Sequence, residues 1–179
     1  MQGDYSRIIL DFGDLYVGSL EFVLKAVEGT ILDIYCFENM FEGQIDFTAG
    51  LNNSVRYICR DGYQEYRCMT RMGCRFAALT LRNQTGDVEI RSFQIRHSVY
   101  TASNIGLFRC NDALLNKIWD ISKKTHSLCI EDPFTDSPTY EQAYWIGDAQ
   151  GRIRNPFRNC RKDEFPKGKE YEEGYVNVK

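Results

Sequence analysis

Apolar residues recur with a period of two from Arg7 to Phe108 and with a period near 3.6 beyond Asn111, so the chain changes character once. Arg7–Phe12 is a compact apolar run that ends at Gly13. Leu20, Phe22, Leu24 and Ala26 alternate with Glu21, Val23, Lys25 and Val27, and Glu28-Gly29-Thr30 turns the chain into a run from Ile31 to Phe37. Val55–Cys59 leads into Asp61-Gly62, which reads as a hairpin dipeptide because glycine tolerates positive φ. Arg75–Leu81 and Val88–Arg96 are further strands, separated by the polar stretch 83–87. Short strands at this spacing without an intervening helix predict a mainly β fold, an antiparallel sandwich of jelly-roll type.

From Asn111 the spacing predicts a helix. Asn111 or Asp112 can cap it, and Leu114, Leu115, Ile118, Ile121, Thr125, Leu128 and Cys129 share one face. Lys117, Asp120, Lys123 and Lys124 fall opposite, and Pro133 ends the helix because proline cannot continue its hydrogen-bond ladder. Residues 151–179 differ again. They hold eight Lys/Arg and five Asp/Glu, with only Ile153, Phe157, Phe165, Val176 and Val178 from the Leu/Ile/Val/Phe set. That fraction is below the roughly 20% needed for a packed core, which predicts an irregular tail.

At 179 residues and 43% hydrophobic content the chain can hold one full domain and part of a second. A net charge of −3 provides no basic face for nucleic acid, and no apolar run reaches the length of a membrane-spanning helix. Seven cysteines at irregular spacing, with no Cys-x-x-Cys pair, argue against a disulfide framework or a zinc site. His126 and Cys129 could be drawn as a metal pair, but no further ligand lies nearby, so neither a metal nor a cofactor is expected. The free thiols and the absence of a signal-peptide pattern at Met1–Tyr5 favour a cytoplasmic setting.

The stretch 136–148 carries the candidate chemistry. Asp136, Glu141 and Asp148 are interleaved with Tyr140, Tyr144 and Trp145 behind a proline turn at Pro138. Acids for proton transfer beside flat rings suit a sugar-cleaving site. The bland alternative is a loop–helix junction with ordinary surface acids. If Glu141 begins a helix, Trp145 and Asp148 share its face, and Glu141 and Asp148 lie about 10 Å apart along the axis. That is at or beyond the roughly 6.5–9.5 Å of an inverting carboxyl pair, so Asp148 fits a sugar ligand better than the partner of the acid.

In wording and spacing this stretch resembles the α-L-rhamnosidase family, through Asp136, Pro138, Glu141, Trp145, Gly147, Asp148 and Ala149, with Ser137 where Cys is usual. Leu10-Asp11-Phe12-Gly13, Gly18, Arg60-Asp61-Gly62 and Gly73-Cys74-Arg75-Phe76 are similar to the β-sandwich preceding that family's barrel. Phe108–Asp112 with Leu114–Trp119 is similar to the start of its (α/α)6 barrel. The resemblance implies a sandwich over 1–108, the first barrel helices over 109–150, and an atypical tail over 151–179. It also implies inverting hydrolysis of terminal α-L-rhamnosides, with Glu141 as general acid and Asp136 and Asp148 on the rhamnose hydroxyls. Trp145 would be an apolar wall of the sugar pocket. The family's general base lies far downstream, and no residue here matches it, so an inactive fragment is expected. The alternatives are a carbohydrate-binding sandwich stacking sugars on Tyr35, Tyr57, Tyr63, Tyr66 and Tyr100, or a truncated reading frame without function.

Overall fold

The computed structural model describes residues 5–47, 51–100, 106–130, 134–147 and 171–177, and the chain divides into two compact units. The first contains β1 (Tyr5–Ala26), β2 (Ile31–Phe37), β3 (Met40–Phe41), β4 (Gln44–Ile45), β5 (Ser54–Ile58) and β6 (Gly62–Arg82), with most of β7 (Glu89–Tyr100). One antiparallel ladder runs in the order β5-β2-β6-β1-β7, and β8 (Tyr171–Asn177) lies beyond β7 at its edge; β3 and β4 form a separate ribbon. The second unit contains α1 (Ala113–Leu128) and the segment that follows it.

The ladder is one sheet by hydrogen bonding, but it packs against itself. Tyr57 of β5 is in register with Leu32 of β2, and Leu32 with Leu81 of β6. Phe22 of β1 is in register with Tyr66 of β6, fifteen residues from Leu81. In a straight strand that separation is about 50 Å, at ~3.3 Å per residue. The rings of Phe22 and Tyr57 are instead 5.2 Å apart and edge-on, and those of Tyr57 and Tyr66 are 5.0 Å apart. The long strands β1 and β6 therefore bend and take part in both layers of a sandwich. In one layer β5 and β2 flank the distal half of β6 and the start of β1; in the other, the proximal half of β6 flanks the end of β1, with β7 outside.

The bend has a local cause. Between Asp11↔Phe76 and Tyr16↔Cys74 the register slips, so that Phe12–Leu15 of β1 oppose only Arg75. Bulges of this kind let a strand turn a corner and switch sheets. Gly13 takes φ +83° there, its N–H donating to Asp11 Oδ1 at 2.8 Å. Arg75 grips the same carboxylate at 2.9 and 3.0 Å and holds the Asp11 carboxyl below the usual range. Asp61-Gly62 is a second corner rather than the expected hairpin, since β5 pairs with β2 and not with β6. Here Gln64, buried, receives the Arg60 N–H and the Tyr57 hydroxyl on Oε1, and donates Nε2 to the carbonyls of Arg60 and Gly62.

The predicted alternation places Leu20, Phe22, Leu24 and Ala26 in the core with Leu32, Ile34, Leu79, Phe93 and Ile95. Cys36, Cys59, Cys68 and Cys74 join them as small apolar side chains. The Cys74 thiol beside it, together with burial, pushes the Cys36 thiol well above its ordinary value, so it stays neutral. An irregular tail was expected over 151–179; residues 151–170 lie outside the described residues, but Tyr171–Asn177 is a strand. Pairing at a sheet edge satisfies the backbone of such a polar segment without a core of its own.

Candidate active site

The candidate residues lie in the second unit, after α1. Asp112 caps the helix, its Oδ1 accepting the N–H groups of Leu114 at 2.8 Å and Leu115 at 3.2 Å. Asn116 braces the approach by accepting the Cys110 N–H and donating to the Cys110 carbonyl. The helix stops at Leu128, before Pro133, which is outside the described residues. Leu114, Leu115, Ile118 and Ile121 are exposed, whereas Leu128 and Cys129 are buried. His126 is stacked on Phe134, with centroids 5.9 Å apart, and Cys129 caps the helix C-terminus.

The chain returns at once along the helix end. Ile130 and Phe134 form a β-bridge, and Thr135 donates both its N–H and its hydroxyl to the Cys129 carbonyl. A loop then closes on itself. Asp136 donates its N–H to the Ala143 carbonyl at 3.0 Å and accepts the Ala143 N–H on Oδ1 at 2.9 Å. Inside that clamp, Ser137 Oγ accepts the Tyr140 N–H at 3.1 Å, and Gln142 Nε2 donates to the Pro138 carbonyl at 2.8 Å.

Glu141 is therefore not the first residue of a helix. Gln142 has φ +49°, outside helical space, and helical geometry begins only at Ile146. The along-axis distance to Asp148 drawn from a helix does not apply, and Asp148 is outside the described residues. Glu141 and Trp145 nonetheless meet: the indole Nε1–H donates to Glu141 Oε2. Both are exposed, Trp145 by 52%, and the indole meets the Glu141 carboxylate as a hydrogen-bond donor. Asp136 is half-buried, with carboxylate oxygen Oδ1 bound to the backbone.

Sequence reasoning missed the turn-closing role of Ser137, the Gln142 amide and the clamp on Ala143. A usable signal was the Asp-Ser-Pro run, since a residue before proline is driven from helical space and Asp and Ser close turns onto their own backbone.

Of the five tyrosines considered for a sugar-stacking surface, Tyr57 and Tyr66 face the core against Phe22. Tyr63 is covered by the guanidinium of Arg91, 3.9 Å from its centroid, and Tyr35 stacks on Phe37 and meets Phe47 at a tilt. These four do not form one platform.

Residues 2–96 match the model of the bacterial alpha-L-rhamnosidase concanavalin-like domain, which is more than half of the chain. The chain belongs to the bacterial α-L-rhamnosidase family. Residues 103–161 match a second model of that family, the bacterial alpha-L-rhamnosidase 6 hairpin glycosidase domain. A GH78 family rhamnosidase from Bacillus sp. GL1 is 42% identical with a TM-score of 0.79, over 86% of this chain and 16% of that one. An alpha-L-rhamnosidase from Formosa agariphila is 27% identical over 93% of this chain and 18% of its own length. A Klebsiella oxytoca rhamnosidase, solved with rhamnose bound, is 19% identical with a TM-score of 0.73, over 84% of this chain and 32% of that one, a likeness of fold. This α-L-rhamnosidase family chain thus spans a third or less of the relatives it matches.

Proposed function

We propose that the chain contributes the acid side of an inverting α-L-rhamnosidase site, with residues 109–150 forming the start of the six-hairpin barrel. Glu141 is the general acid that protonates the leaving glycosidic oxygen, and Asp136 and Asp148 bind rhamnose hydroxyls. The observation that supports this best is the engagement of Glu141 Oε2 by the Trp145 indole, which leaves Oε1 as the oxygen to carry the transferred proton. The bond from the Ala143 N–H to Oδ1 fixes the Asp136 carboxylate in the loop. The substrate class is a terminal α-L-rhamnoside, as the family and the rhamnosidase names of its relatives suggest.

Inversion also needs a carboxylate that activates water on the opposite sugar face, and walls that exclude solvent. The 179 residues alone are therefore expected to turn over substrate at the background rate. The test is hydrolysis of an aryl α-L-rhamnoside by the purified chain beside Glu141→Gln. Near-zero rates for both are the expected result. Clear turnover that Glu141→Gln abolishes would confirm the acid and show that a base lies within these residues; turnover unchanged in Glu141→Gln would remove Glu141 from the chemistry.

A further inference from the structure

Gln142 is one of only three non-glycine residues with positive φ among the described residues, and it directly follows the proposed acid. A glutamine adopts φ +49° only where its surroundings impose it, and such residues concentrate at functional sites. Two independent contacts impose it here. The Gln142 amide donates to the Pro138 carbonyl across the loop at 2.8 Å, and the next residue, Ala143, is bound to Asp136 through both of its backbone groups. On the other side of Glu141, the Tyr140 N–H is tied to Ser137 Oγ. Glu141 is thus flanked by two anchored residues, and the reversal at Gln142 returns the chain so that Trp145 reaches Glu141 without a helical turn between them.

We propose that Gln142 is a positioning residue, whose left-handed backbone and amide bond to Pro138 set the Glu141 carboxylate against the Trp145 indole. The proposal rests on the reading of Glu141 as the acid. Its test needs no turnover, so its failure is distinct from a negative hydrolysis assay.

Trp119 and Trp145 are the chain's two tryptophans, so Trp119→Phe isolates the emission of Trp145. Protonating an acceptor of the indole N–H changes that emission, and the part absent in Trp119→Phe/Glu141→Gln reports the Glu141–Trp145 contact. Gln142→Val opposes the left-handed backbone, because a β-branched residue resists positive φ; Gln142→Gly permits it and deletes only the amide. The Glu141-dependent signal is expected to fall at least twofold in one or both variants while the far-ultraviolet circular dichroism of the sheet is unchanged. Should Gln142→Val fail to fold, Gln142→Gly decides alone by the same criterion. A full signal in every folded variant, or no Glu141-dependent signal in the Trp119→Phe parent, overturns the proposal.

Discussion

Pairing Phe22→Leu with Tyr57→Leu tests whether the single hydrogen-bonded ladder folds over on itself. Leucine keeps both sites apolar and nearly filled while removing the rings, so each single change should cost less than about 1.5 kcal/mol from volume, plus its ring contacts. Phe22 also touches Tyr66 and Phe93, and Tyr57 gives its hydroxyl to Gln64. The losses to Phe93 and Gln64 occur equally alone and in combination, so they cancel in a double-mutant cycle, whereas Tyr66, which touches both rings, joins the coupling. What remains besides is the Phe22–Tyr57 edge-to-face contact at 5.2 Å and 82°, worth about 0.5–1.5 kcal/mol. Distant sites add within about 0.3–0.5 kcal/mol, so the upper part of that range stands clear of the error. Urea unfolding followed by far-ultraviolet circular dichroism gives the four stabilities needed. If both single variants are destabilised but their effects add to within ~0.3 kcal/mol, the two layers do not meet at these rings and the fold-over is wrong.

Two further outcomes follow from single contacts. A Cβ at Gly18 would lie 1.9 Å from the Arg96 carbonyl oxygen across the β1–β7 ladder, so Gly18→Ala must push the strands apart. A loss of about 2 kcal/mol or more is expected in urea unfolding, and an unchanged midpoint would place β7 elsewhere. The Asp33 carboxyl is held below its ordinary value, first by the hydrogen bonds from Arg56 and also by the charge of Arg82. A lowered carboxyl contributes stability above its unfolded value, near 3.9, and loses it as pH falls through the folded value, so the effect falls below about pH 4. Because Arg56 is largely exposed and solvent screens the pair, the contribution is small, and Arg56→Gln should flatten the acid limb of stability against pH.

The sheet interior was legible because burial follows a strict alternation: Leu20, Phe22, Leu24 and Ala26 each point inward as their spacing requires. The corners were not. Whether Asp61-Gly62 closes a hairpin or crosses between layers depends on the partner of β5, which lies in β2 and is invisible to local pattern. Likewise Arg7–Phe12 and Leu20–Ala26 read as two strands, because the Phe12–Leu15 bulge interrupts the period although β1 is continuous. At the candidate site, the motif located Glu141 and Trp145 as neighbours but supplied the wrong reason. A helix would bring residues four apart together; here a braced loop with a left-handed Gln142 does so, through side-chain bonds that no periodicity encodes.

The pairing of β1 with β6 also bears on how the chain reaches this state. Arg7 Nε meets Thr80 Oγ1 across 73 residues of sequence, and every rung of β1 waits for partners in β6 or β7. Long-range closure of this kind makes folding slow, because the entropy of gathering the ends is lost before any contact compensates it. During synthesis β1 stays an unpaired strand until β6 begins to emerge at Gly62, the partner of Ala26, and its start waits until Arg82, the partner of Tyr5. A strand with Leu20, Phe22 and Leu24 on one face is, over that interval, an open template for other nascent chains. The yield of folded protein should therefore depend on synthesis rate and temperature more than on the final stability of the sandwich.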